Sequence, residues 1–241
     1  MSHSHRLLAV FAVLVAGFLP NLASAGVIRS AVDVVRAPNR ASGSLGGLID
    51  QSGLSVGYID GATDFDAYIA QSPTHEAYAP SNEYFNGWSF NGSVPIDFDL
   101  GAPFQIRQLA FWNAPMIGYI PILDFEVYTA NSVDFLDAML VGSFTAVHDG
   151  GPRGQELPYT TGAQVFDLLD TDARYLRIRV LTAATGGGRV IDHRRNRLFT
   201  YGLSEVAFDT GPVSSEVPEP GSLSLMVLGV AALIGVRRRS D

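Results

Sequence analysis

Ile96-Asp97-Phe98-Asp99-Leu100 alternates apolar and acidic side chains one by one. A period of two puts Ile96, Phe98 and Leu100 on one face of a strand and Asp97 and Asp99 on the other. The same period recurs downstream. Leu123, Phe125, Val127 and Thr129 alternate with Asp124, Glu126 and Tyr128, and Leu176, Ile178 and Val180 alternate with Tyr175, Arg177 and Arg179. Residues 104–112, 139–147, 164–169 and 203–208 read as further strands, and residues 32–35 as a first one. Turn chemistry separates them: Asn91 and Gly92, then Gly101, Ala102 and Pro103, then Asn113, Ala114 and Pro115, then residues 148–154 and 186–188. Residues 39–47 read as loop, residues 134–138 as a single turn, and no helical stripe of any length lies between the two ends. Half-polar strands at this spacing predict an all-β protein, an antiparallel β-sandwich or jelly roll in which each sheet turns one face to a shared core. Acids on the outward faces of such strands are expected to be solvated.

The two ends follow other rules. Arg6 precedes an unbroken apolar run over residues 7–19, Pro20 breaks it, and Ala23-Ser24-Ala25 is a small-x-small site before Gly26. This is the layout of a secretory signal peptide. At the other end Val217-Pro218-Glu219-Pro220 is followed by an apolar run over residues 223–236 and by Arg237, Arg238 and Arg239. As a helix that run is about 21 Å long at about 1.5 Å per residue, short of a hydrocarbon core of about 30 Å. Such a span suits a transient anchor, with the arginines on the cytoplasmic side. The segment closely resembles the PEP-CTERM sorting signal of Gram-negative bacteria. The resemblance implies recognition by a membrane-embedded exosortase, cleavage near the Pro-Glu-Pro, and delivery to the cell surface or the exopolysaccharide matrix. The expected organisation is a signal peptide over 1–25, an N-terminal extension with a first strand over 26–57, a sandwich over 58–210, a linker over 211–222, a transmembrane anchor over 223–236 and a basic tail over 237–241. Signal peptidase, exosortase and the inner membrane are the expected export partners.

Composition narrows the function. The chain has 241 residues, a formal net charge of -8 and no cysteine. Lipoprotein attachment, thiol catalysis and cysteine-ligated zinc are thereby excluded. Setting the two ends aside leaves 12 arginines against 22 acids, a net of -10 for the body. An acidic body argues against nucleic acid and anionic membrane surfaces as partners and is compatible with calcium or neutral sugars.

An ordered series runs through the middle of the chain. It comprises Asp60-Gly61, Trp88, residues 96–101, Leu109-Ala110-Phe111-Trp112-Asn113, residues 125–129, Arg174-Tyr175-Leu176-Arg177-Ile178 and Gly202-Leu203-Ser204-Glu205-Val206. Over residues 56–210 it resembles a discoidin-type (coagulation-factor C-type) galactose-binding-like domain. The resemblance implies a jelly-roll sandwich whose loops at one end bind glycans or other surfaces. It also implies a structural calcium shared by an early Asp-Gly loop and a Glu on the last strand, places matched by Asp60, Thr63 and Glu205, with Asp64 as an added oxygen. The residues agree, since hard divalent cations gather several oxygens and residues 60–66 offer three carboxylates and a hydroxyl. No other cofactor is required.

Catalysis is not announced. There is no Gly-x-Ser-x-Gly elbow. His75-Glu76 begins like a zinc-protease motif, but the second histidine is missing and Pro73 and Pro80 flank it. His75, His148 and His193 lie far apart, each expected in a polar loop. For sugar recognition the candidates are Tyr84 and Tyr119 as exposed rings and Arg194 and Arg195 in the only concentrated basic loop, with Trp88 and Trp112 as core anchors. The leading expectation is a non-catalytic binding module for the cell's own exopolysaccharide. The alternatives are a matrix protein that self-associates through sheet edges and, behind it, a hydrolase.

Overall fold

The period-two segments are strands. A computed structural model describes residues 26–76, 85–90, 94–113, 121–147, 160–184, 190–195 and 198–212. The signal peptide, sorting motif, anchor and tail read from sequence lie outside them. In chain order the elements are β1 (Val27–Arg29), β2 (Asp33–Arg36), β3 (Asn39–Gly43), a 3-10 turn (Gly46–Leu48), α1 (Phe65–Ile69), β4 (Thr74–Glu76), β5 (Phe85–Phe90), β6 (Ile96–Asn113), β7 (Asp124–Ala130), β8 (Met139–Thr145), β9 (Thr160–Val180), β10 (Thr182–Ala184), β11 (Val190–Asp192) and β12 (Leu198–Gly211). Every ladder between these strands is antiparallel among the described residues. The fold is the all-β antiparallel sandwich that the alternation predicts.

Two long strands make the layers. The hydrogen-bonded order is β3-β5-β12-β6-β9-β7-β8, with β1 on β12, β2 on β6 and β4 on β9. The first part of β6 pairs with β2 and with residues 175–178 of β9, and the last part pairs with β12 and with residues 163–173. Between them the register shifts, from Asp99 to Phe104, and Gly101 takes φ +81°. Sequence reading places a turn at Gly101, Ala102 and Pro103 and splits this strand in two. The structure keeps it whole: a glycine in the left-handed region bends the strand, and pairing resumes beyond it. Residues 164–169 and 176–180 likewise join into one β9.

Rings from the two layers meet in the core. Phe111 and Phe166, from the layer of β12, pack against Phe125 and Phe144 of β7 and β8, with centroids 5.0–5.5 Å apart. Phe98 meets Phe208 edge-on at 5.9 Å. Tilted and edge-on pairs of this kind add to plain burial.

A second cluster covers the outer face of the β12–β6 layer. Trp112, Ile28, Tyr58, Phe65 and Tyr68 are buried together there. The segment read as an N-terminal extension therefore belongs to the sandwich, since β1 pairs with β12 and Ile28 fills this cluster. Helix α1 escapes sequence reading because five residues are too few to show a helical stripe. Its N-cap is Asp64, whose carboxylate accepts the Ala67 N–H at 2.7 Å. Trp112 is the core anchor expected, and its Nε1–H donates to the Pro73 carbonyl at 3.0 Å. Trp88, by contrast, is only half-buried on β5. Trp112→Ala is expected to cost about 3–5 kcal/mol in urea unfolding. Trp112→Phe keeps most of the packing, removes one of two donors to the Pro73 carbonyl, which keeps the Ala163 N–H at 3.3 Å, and should cost about 0.5–1.5 kcal/mol.

Candidate functional site

Glu205 is the most unusual side chain of the outer cluster. It stands opposite Trp112 in register on β12 and is fully buried. Its Oε2 accepts the Gln51 N–H at 3.1 Å, and its Oε1 has no partner among the described residues. Burial pushes the carboxyl up to about 9; the charge of Asp50 adds to the rise and the Gln51 N–H opposes it. The turn that meets Glu205 is strained into place: Gln51 has φ 63° and Gly53 φ 84°. A Cβ at Gly53 would lie 2.6 Å from the His75 ring, so the close approach needs glycine. The Gln51 side-chain oxygen accepts the Tyr58 N–H at 2.9 Å, and one oxygen of Asp50 accepts both the N–H and the hydroxyl of Ser52.

Two phenols flank the site, with Tyr58 and Tyr68 edge-on at 5.2 Å. Burial raises the Tyr58 phenol far above its ordinary value, against the pull of the 2.5 Å hydrogen bond it shares with Ser30. Tyr68 is pushed up to about 12, first by burial and then by the charge of Glu205, and it donates to the Val56 carbonyl at 2.7 Å.

The loop over residues 60–64 has other work. Asp60 accepts the Ser30 N–H at 2.8 Å and lies 3.3 Å from the Arg29 guanidinium. Thr63 Oγ1 accepts the Ile59 N–H at 2.9 Å, and Asp64 caps α1. Asp60 ties the loop to the end of β1, Thr63 closes the loop on itself and Asp64 serves α1, whereas Glu205 engages the turn over residues 50–52, so these side chains make no bond with Glu205. Among the described residues no three of the metal-ligating types (His, Cys, Asp, Glu) gather at one point. Beside Glu205 a buried oxygen lacks a partner among the described residues, and a second acid, Asp50, stands near. Sequence reasoning missed Asp50; the signal was Asp50-Gln51-Ser52-Gly53, a turn sequence with an acid at its head.

The basic loop is built from beneath. His193 is buried, donates from Nδ1 to the Leu181 carbonyl at 2.9 Å, and sets its ring edge-on to Phe199 at 6.1 Å. Arg194 and Arg195 follow it and point outward. The Arg194 N–H is held by Asp192 at 2.7 Å, and the Arg195 side chain is 87% exposed, 3.7 Å from the same carboxylate. Tyr84 and Tyr119 lie outside the described residues. His75 and His193 correct the expectation of polar-loop histidines, because both are buried and both direct Nδ1 at a backbone carbonyl. His148 lies outside the described residues.

Comparison with known proteins adds the sorting address. Residues 216–239 match the PEP-CTERM protein-sorting motif, so the chain carries that motif. It marks an exported protein held transiently in the membrane by its C-terminal region, and it implies processing by an exosortase. Among the described residues no helix is long and apolar enough to cross a membrane.

The solved structures that the chain resembles include CBM32 modules. CBM32-3 of a family 31 glycoside hydrolase from Clostridium perfringens is 13% identical with a TM-score of 0.39, over 68% of this chain and 94% of that one. The CBM32 of AlyQ, solved with 4,5-unsaturated mannuronic acid, is 15% identical with a TM-score of 0.38, over 76% of this chain and 97% of that one. A module of the Clostridium perfringens GH89 protein (CBM32-5), solved with GalNAc-β-1,3-galactose, is 11% identical with a TM-score of 0.39, over 76% and 93%. No curated protein matches the chain.

Proposed function

We propose that this protein is a non-catalytic glycan-binding module that the exosortase route delivers to the cell surface or extracellular matrix, where it holds the cell's own exopolysaccharide. One observation carries the reading: a single chain joins the sorting motif at residues 216–239 to a sandwich that presents Arg194 and Arg195 outward from a buried histidine. Outward guanidiniums on a pinned turn suit hydroxyl and carboxylate groups of a polysaccharide. The strand carboxylates support a scaffold role. Asp97, Asp99, Glu126 and Asp209 are each paired with an arginine, which fixes them in place and leaves them poorly suited to move protons.

In this reading residues 1–25 are a signal peptide removed by signal peptidase, and residues 223–236 anchor the chain in the inner membrane until cleavage. Calcium is the proposed structural ion. Glu205 and Asp50 would hold it, and it would take the place of the Glu205 proton without taking part in a reaction.

The test uses full-length protein in mild detergent and beads carrying the host's exopolysaccharide. The wild type should be retained, and Arg194→Ala with Arg195→Ala should lower the apparent affinity about tenfold or more. A folded wild type that is not retained, and that binds nothing across a broad glycan array, overturns the reading.

A further inference from the structure

The outer face of the layer formed by β2, β6, β9 and β7 carries a row of charge set by register. Arg36 stands opposite Asp97, Asp97 opposite Arg177, and Arg177 opposite Tyr128. Two residues further along, Arg179 stands opposite Glu126. With Pro95 and Ala138, the residues Arg36, Arg177, Arg179 and Tyr128 line a cavity of about 320 Å³. That is the small end of the range for ligand sites.

The donors in this cavity outnumber the contacts that its acids make. Arg177 gives Nε and Nη2 to Asp97, both at 2.7 Å, and lies 3.9 Å above the Phe135 ring. Its Nη1 has no partner among the described residues. Arg179 makes one contact with Glu126 at 3.3 Å, and the Tyr128 hydroxyl donates to the same oxygen at 2.8 Å. Arg36 is exposed on β2 and pairs with no acid among the described residues. Within the cavity three guanidiniums thus meet two carboxylates, and the charge of Arg36 is left over there; Asp33, opposite Asp99 on the same face, does not line it.

The ligand chemistry follows from those groups. A neutral sugar would leave the surplus charge unmatched, whereas a carboxylate matches it and suits the planar fork of a guanidinium. The Tyr128 ring and Pro95 offer apolar surface for the C–H face of a sugar ring. Hydroxyls of that ring would take the remaining N–H donors and the lone pairs of Glu126.

We propose that this cavity on the sheet face binds a carboxylated sugar, a uronate unit of an acidic polysaccharide, as a subsite separate from the Arg194 turn. The proposal rests on the glycan-binding reading and names the class of sugar and the place. Calorimetric titration of the full-length protein with an oligouronate, and with its carboxyl-reduced neutral counterpart, tests it. The oligouronate should bind at least about tenfold more tightly than the neutral oligomer, and Arg36→Gln should remove about tenfold of that affinity. Arg36→Glu should abolish it. Arg36 is exposed and carries no pair, so both variants should unfold at the wild-type temperature. Equal binding of the two oligomers, or wild-type affinity in both Arg36 variants, overturns the subsite while retention on the exopolysaccharide leaves the broader reading standing. Loss of both retention and oligosaccharide binding overturns the two together.

Discussion

Arg177→Met is expected to destabilise the fold by about 3–5 kcal/mol. The cost arises at Asp97, whose side chain is 2% exposed and whose two oxygens each accept from Arg177 at 2.7 Å. Without the guanidinium a carboxylate is left buried and unpaired, and the Phe135 ring loses the cation 3.9 Å above it. Asp99 and Arg174 form a similar bidentate pair, with both contacts at 2.8 Å, but the same change there should cost far less. The Arg174 side chain is 40% exposed, and Asp99 also accepts the Gly101 N–H at 2.7 Å, a bond that survives the substitution. The Arg174 hydrogen bond holds the Asp99 carboxyl below its ordinary range, with the Gly101 N–H adding to the pull and burial opposing it. Its stabilising share is therefore present above the ordinary carboxylate pKa and lost as pH falls through the lowered one. Urea unfolding at neutral pH compares the two variants. Combining Arg177→Met with Asp97→Leu should recover most of the loss, because the penalty lies in the stranded charge. A loss below about 1 kcal/mol for Arg177→Met alone would show that Asp97 is solvated after all.

Solvation is what the sequence led one to expect of Asp97, and the reason is instructive. The alternation at residues 96–100 shows which face of the strand is apolar, because one buried face imposes a period of two on local sequence. It cannot show what covers the other face. Arg177 lies eighty positions away, and only the β6–β9 register brings it opposite Asp97. The same limit explains the bent strands. Gly101-Ala102-Pro103 carries the chemistry of a turn, yet pairing with β9 resumes at Phe104 and makes the segment a bulged corner. Helix α1 was illegible for want of length. Glu205 was legible as an acid on the last strand. Its neighbours were not, since the turn that meets it is chosen by the positive φ of Gln51 and by the packing of Gly53 on His75. The outward arginines of the 194–195 turn were visible as a basic cluster, while the burial of His193 beneath them appears only in three dimensions.

Glu205 should also give the protein an unusual dependence of stability on pH. Its carboxyl titrates near 9 in the fold, against 4.5 for an ordinary glutamate. Below 4.5 both states hold the proton and the group contributes no difference. As pH rises from 4.5 towards 9 the unfolded chain releases its proton while the folded one keeps it, so stability falls across that window. One proton sets a slope of at most about 1.4 kcal/mol per pH unit. In a chelating buffer the melting temperature of the wild type should therefore decline from mildly acidic to mildly basic pH. Glu205→Gln should remove that decline, because the amide keeps an acceptor for the Gln51 N–H and has nothing to titrate. Millimolar calcium provides the second arm. A cation beside Glu205 and Asp50 takes the place of the proton, so calcium should raise the wild-type melting temperature at pH 8, flatten the profile, and leave Glu205→Gln unmoved. A wild-type profile in chelator that coincides with that of Glu205→Gln would mean the carboxyl is ionised and accommodated in some other way. A declining profile that calcium leaves unchanged would keep the buried proton and dismiss the ion.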